Sequence, residues 1–218
     1  MDRPAASRGD GSGDGRGAVS TRRNELTRQA ARLFAERGFH GTSIGDLAEA
    51  MGVQKGSVYA HIKSKQDLLY ETMREGAEAF HGVLDVLPEA APVTERLRLV
   101  LRGHLRVVSE QLDVATVFVR EWRYLEGARR EQIVAERRRY EERIRGLFRE
   151  GRELGELRTD LDDATAARLL LSAANWAYTW LRPGGDTDAL ADRFYTLLVE
   201  GMRGYATPPD QLAPAPIP

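Results

Sequence analysis

Residues 42–69 read TSIGDLAEAMGVQKGSVYAHIKSKQDLL, and Ala48, Gly52 and Val58 divide this stretch into two short helices and a turn. Ala48 is small where a second helix must cross closely. Gly52 can take the left-handed backbone that ends one helix and opens a tight turn. Val58 points back from the second helix, over residues 54–61, into a shared core. Ser43 with Asp46 forms a capping box ahead of the first helix, and Ser64 with Asp67 repeats the device ahead of the next. The spacing is that of a helix-turn-helix. Lysine usage marks the same place. Of 32 Lys and Arg, only Lys55, Lys63 and Lys65 are lysines, all on or just after the second helix. Contact with phosphates explains such clustering.

Working outward, the rest of the chain also reads as helix. Leu26, Ala30, Leu33 and Phe34 recur at helical spacing, with Gly38 as the stop. A long helix runs from Ser64 to about residue 87, where Pro88 and Pro92 end it. Helices follow over 93–110, 112–126, 128–154, 162–182 and 187–205, punctuated by Gly151, Gly155 and the Arg-Pro-Gly-Gly run at 182–185. No alternating strand pattern and no internal repeat occurs. The expected fold is all-α, with about nine helices and a helix-turn-helix near the N-terminus. The expected divisions are a disordered tail over 1–19, a helix-turn-helix DNA-binding domain over 20–66, a larger helical domain over 67–206, and a Pro-rich tail over 207–218. Within the first tail GDGSGDG fails the spacing of a dinucleotide loop. As a calcium loop from Asp10 it would place Thr21 where a carboxylate is required.

Composition narrows the class. The 218 residues suffice for one core, or a small domain on a larger one. The absence of cysteine removes disulfides, thiol nucleophiles and thiolate metal sites, and fits a reducing cytoplasm. The N-terminus shows no signal-peptide pattern, and the apolar stretch 169–181 is too short to span a bilayer, so the expectation is a cytoplasmic protein without membrane contact. Net charge is −1. Residues 1–65 nevertheless hold 11 Lys and Arg against 7 Asp and Glu. A basic head on an acidic body suits local DNA contact.

A helix fits the major groove of duplex DNA, and its N-terminal residues reach base edges. Here these are Gln54, Lys55, Gly56 and Ser57. Gln54 can bond adenine, Lys55 can donate to guanine or phosphate, and Gly56 lets backbones approach. Tyr59 and His61 suit phosphates. Thr42 and Ser43 offer hydroxyls and backbone N–H groups at a helix start, and Lys63 and Lys65 flank the next one. Catalysis finds no support: His40, His61, His81 and His104 are scattered, and no GxSxG, HExxH or Walker A pattern occurs. No cofactor is called for. The chain reads as a non-enzyme.

The block over 26–73 resembles the N-terminal domain of TetR-family transcriptional regulators, through Phe39, Gly41, Thr42, Val53, Tyr59 and Lys65. Ile62 stands where the family carries Phe. The resemblance implies an all-α homodimer whose first three helices bind a palindromic DNA operator. The remaining six, over 67–206, would form a C-terminal six-helix domain for ligand binding and dimerisation, with a ligand pocket and a dimer interface.

Helix 162–182 is apolar nearly all round, which implies burial on every face. Leu190, Phe194, Leu197, Leu198, Met202 and Tyr205 stripe the last helix. Together they predict a four-helix dimer interface, with Ala166, Ala173 and Ala177 allowing close approach. Two segments, 120–151 and 155–185, resemble an acyl-CoA-responsive branch of the same family, through Tyr140-Glu141, Asn175-Trp176, Trp180 and Arg182-Pro183-Gly184. An acyl-CoA needs an apolar channel and cations for its phosphates. Phe118, Trp122, Phe148, Trp176 and Trp180, with Val117 and Leu147, are candidates for the channel. Arg120, Arg123 and Arg182 are candidates for the phosphates. Arg137, Arg138 and Arg139 read as a solvated face. The leading expectation is a repressor released by a small lipophilic effector, such as an acyl-CoA. The alternatives are a dye- or drug-responsive repressor of an efflux pump, or a ligand-independent DNA-binding structural protein.

Overall fold

A computed structural model describes residues 14–182, 184–199 and 202. Every regular element among them is helical. In chain order they are α1 (Asp14–Arg37), α2 (Ile44–Ala50), α3 (Lys55–Tyr59), α4 (Lys65–Asp85), α5 (Val93–Glu110), α6 (Leu112–Arg120), α7 (Gly127–Glu153), α8 (Asp163–Trp176) and α9 (Thr187–Leu198). Single 3-10 turns follow α6 at Trp122–Tyr124 and α8 at Ala177–Thr179. α1 begins inside the stretch expected to be a tail, and the rest of that tail, the Pro-rich tail and Tyr205 lie outside the described residues.

The N-terminal unit closes on Leu26, Ala30, Leu33, Phe34, Leu47, Ala48 and Val58, all at most 4% exposed. Gly52 has φ +63°, the conformation the turn demands, and Val53 N donates to Ala48 O across it at 3.0 Å. The body is built around α4. It packs on α1, α5, α6 and α7, while α9 packs on α5 and α8 on α7. Phe80, Met73, Leu97, Leu101, Leu105 and Phe148 fill the centre at 0–1% exposure. Each such side chain contributes roughly 1.5–3 kcal/mol on burial.

Charged groups tie helix to helix at the rim. Asp192 on α9 accepts two hydrogen bonds each from Arg98 and Arg102 on α5, at 2.8–3.0 Å. The two guanidiniums hold its carboxyl well below the usual carboxylate range. Glu156 caps the start of α5, accepting from the N–H groups of Val93 and Thr94 at 3.0 Å.

Several helices are shorter than periodicity predicts, and α9 ends at Leu198. The second motif helix keeps only 55–59. The helix expected over 112–126 tightens to a 3-10 turn after Arg120, and the one over 162–182 does so after Trp176. In each the apolar spacing continues while the backbone changes its turn, which periodicity cannot detect.

Candidate DNA-binding face and effector cavity

The start of α2 is fixed by the Ser43–Asp46 capping box. Asp46 N donates to Ser43 Oγ at 3.1 Å, and Ser43 N donates to Asp46 Oδ2 at 2.6 Å. Beyond the Gly52 turn, Gln54, Lys55, Gly56, Ser57 and Tyr59 are exposed, as is Lys63; His61 is half-buried. Tyr59 keeps 51% of its surface open although it is a large aromatic. No atom lies within 4 Å of where a Cβ on Gly56 would sit, so the fold itself does not require glycine there.

Two predicted contact residues turn inward instead. The Thr42 hydroxyl is buried and donates to Leu33 O and Gly38 O at 3.2 and 3.0 Å. Lys65 Nζ donates to Phe39 O at 2.6 Å and Thr42 O at 2.7 Å, and lies 4.2 Å from the centroid of the Phe39 ring. Burial pushes the Lys65 ammonium below its usual range, with Asp46 opposing. Both side chains close the chain reversal between α1 and α2; they are occupied by the protein rather than offered to a phosphate.

In the body, a partly open cavity of about 380 Å3 lies among α4, α5, α6, α7 and α8. Phe80, Phe118, Trp122, Val134 and Leu171 give it apolar walls. Arg137, Arg138 and Arg168 supply cations, against the single carboxylate of Glu141. His104, Tyr140 and Asn175 form a polar inner edge. His104 Nδ1 lies 3.1 Å from the Tyr140 hydroxyl. Burial pushes the His104 imidazole down to about 4, Asn175 opposing, and raises the Tyr140 phenol well above its usual range. Both are therefore uncharged at neutral pH. The volume falls within the range of small-molecule sites.

Arg137 is the residue the sequence misplaces. It is not solvated with Arg138 and Arg139. Its Nη1 donates to Phe118 O at 2.9 Å, and its guanidinium lies 5.1 and 5.3 Å from the Phe118 and Trp122 ring centroids. Of the predicted effector residues, the cavity brings together Phe118 and Trp122. Phe148 is fully buried in the core beside Leu147. Arg120, Arg123 and Arg182 are exposed outside the cavity. Trp176 and Trp180 stand 63% and 48% exposed on the outer face of α8 and the turn after it. Ala166 and Ala177, expected at a subunit contact, are buried within the chain at 2% and 0%.

Cavity and DNA-binding unit share α6. Gly76 on α4 leaves room for the Phe118 ring, and a Cβ there would lie 3.1 Å from Phe118 Cβ. One helical turn on, the buried carboxylate of Glu121 accepts from Phe39 N at 2.8 Å. A second tie joins Asp67, at the start of α4, to Arg129 on α7. Burial raises the Asp67 carboxyl, but the N–H groups of Ser64 and Lys63 and the Arg129 guanidinium outweigh it and hold it below its usual range.

Among the described residues no group of three or more metal-ligating side chains occurs, and no helix is long and apolar enough to cross a membrane. Comparison with known proteins agrees with both halves of the molecule. Residues 26–72 match the family model described as bacterial regulatory proteins, tetR family, and residues 90–202 match tetracyclin repressor-like, C-terminal domain. The HTH-type transcriptional repressor KstR2 of Rhodococcus jostii is 28% identical over 187 residues, 84% of this chain and 92% of its own length. The TetR-family regulator PfmR of Thermus thermophilus superposes with a TM-score of 0.74 at 32% identity, covering 80% of this chain and 97% of PfmR. AibR, solved with isovaleryl coenzyme A and operator DNA, also superposes at 0.74, with 29% identity over 81% of this chain and 97% of AibR.

Proposed function

This chain belongs to the TetR family of transcriptional regulators, and we propose that it is a homodimeric repressor released from a palindromic operator by an acyl-CoA. The cavity carries this reading. Apolar walls suit an acyl chain, and three arginines against one glutamate suit an anionic ligand. That balance disfavours a cationic dye and hence an efflux-type effector. AibR, a relative with both coenzyme A thioester and operator bound, supports the same reading. On DNA, Gln54, Lys55, Gly56 and Ser57 face the bases, while Ser43, Tyr59, His61 and Lys63 reach phosphates. The ligand acts by changing the packing of Phe118 and Trp122, which shifts α6 and the Glu121–Phe39 tie. The two recognition helices then no longer match half-sites about 34–36 Å apart.

The test is release of a fluorescent operator, followed by anisotropy, on adding acyl-CoAs of varied chain, free CoA, fatty acids and a cationic dye. Release by one acyl-CoA class, without release by free CoA, is the expected result. Release by the dye alone sinks the acyl-CoA assignment and leaves the DNA-binding one standing. No release by any of them favours a ligand-independent DNA protein.

A further inference from the structure

We infer that His104 Nε2–H is a built hydrogen-bond donor for a carbonyl oxygen of the effector, so the cavity selects its ligand by an oxygen atom and not by apolar fit alone. The inference rests on the cavity being the effector site. His104 is 1% exposed on α5 and lines the cavity. Its Nε2 has no hydrogen-bond partner among the described residues. The Asn175 side chain lies beside it and favours the charged imidazole, without closing a hydrogen bond of good geometry. Leaving such a group unmet costs stability, and buried polar atoms of this kind in native proteins call for an explanation.

The tautomer follows from counting protons. Tyr140 is buried, and its hydroxyl has His104 Nδ1 as its hydrogen-bond partner, with Phe80 and His81 rings around it. If Nδ1 carried the proton, the phenolic hydrogen would lack an acceptor and Nε2 would lack a donor. If Tyr140 donates to Nδ1, the phenol is satisfied and one group remains: Nε2–H, at the cavity edge. Burial keeps the ring neutral, so it presents one fixed donor. A carbonyl oxygen is its complement, and Asn175 lines the same cavity beside it. That oxygen has two sources, the thioester carbonyl itself or a keto oxygen further along the acyl group.

The experiment measures affinities by calorimetry for saturated acyl-CoAs, their oxo-acyl counterparts and the free oxo-acids, with the wild type, His104→Leu and His104→Gln. Gln places an amide N–H near the position of Nε2 and should retain binding. His104→Leu should lose roughly tenfold or more. Equal loss for saturated and oxo thioesters assigns the thioester carbonyl, and loss confined to oxo-acyl ligands assigns the keto oxygen. Wild-type affinity of folded His104→Leu for every thioester overturns the inference and leaves the acyl-CoA reading intact. Binding of free oxo-acids but no thioester, abolished in His104→Leu, does the reverse. If nothing binds, both fall. Should His104→Leu not fold, nitrogen-15 spectra of histidine in the wild type decide: a proton on Nε2 supports the inference, and one on Nδ1 overturns it.

Discussion

Lys63 and Lys65 carry the same charge two residues apart and serve different ends. Lys65 is bonded to two carbonyls of the α1–α2 reversal, whereas Lys63 is exposed. Lys65→Met leaves Thr42 O unmet and Phe39 O with only the long bond from Thr42 N at 3.4 Å, and should lower unfolding stability by about 1–3 kcal/mol. Its operator binding should keep the wild-type dependence on salt. Lys63→Ala should unfold as the wild type does, while the slope of log affinity against log salt becomes shallower by about one. Denaturant melts and a salt series of anisotropy titrations read both. A shallower slope for Lys65→Met would put its ammonium on a phosphate. Sequence alone could not separate the pair: both fit the helix start, and only the chain reversal brings Phe39 O and Thr42 O within reach of one. His104 gives a second residue-level test. Its folded value of about 4 lies below the free value of 6.5, so the unfolded chain takes up a proton first as pH falls. Stability from this group is full above about 6.5 and is lost as pH drops towards 4, about 3 kcal/mol in all. His104→Gln should remove that part of the slope in melts across this window. An unchanged slope would show that the imidazole is not buried neutral.

At the scale of the element, α6 is the part that touches both ends of the proposed signal. Phe118 on it meets the cavity, and Glu121 just after it holds Phe39 N. Glu121→Ala should leave Phe39 N unmet, costing about 1–3 kcal/mol of stability, and should weaken coupling more than either binding event. Effector affinity should stay near wild type while the effector-induced drop in operator affinity shrinks. Glu121→Gln, which keeps an acceptor oxygen, should retain most of both. Full release by Glu121→Ala would route the signal through Asp67–Arg129 instead. The helices themselves were legible from periodicity because apolar spacing sets them. Which arginine of α7 faces inward was legible in part. Ile133, Arg137, Tyr140, Ile144, Phe148 and Gly151 follow one helical stripe, and all but Arg137 are buried at its core. A charged residue within an apolar stripe is the signal that the run Arg137–Arg139 concealed. Trp176 and Trp180 gave the opposite error: being large and aromatic, they suggested a ligand wall, whereas helix phase directs them outward.

For the whole molecule, that outward direction is itself evidence. Leu169, Trp176, Trp180 and Leu197 are 48–77% exposed on or beside α8 and α9 in the single chain. Helix periodicity marked this surface as apolar on every side, but a lone chain covers only the side of Ala167, Leu170 and Ala174. An exposed apolar set of this size on two neighbouring helices fits an interface between two copies. DNA recognition makes the same demand, since the five residues of α3 reach few base pairs and a palindromic site needs two such helices at a fixed spacing. Leu197→Arg tests both at once. Leu197 is 77% exposed, so arginine there costs the single chain little, whereas a charge in a dry dimer contact is strongly unfavourable. The expected outcome is a monomer by sedimentation with wild-type helicity, retained effector binding and an operator affinity reduced a hundredfold or more, near that for nonspecific DNA. A variant that still sediments as a dimer would move the interface off α9. A monomer that keeps full operator affinity would remove the two-half-site reading altogether.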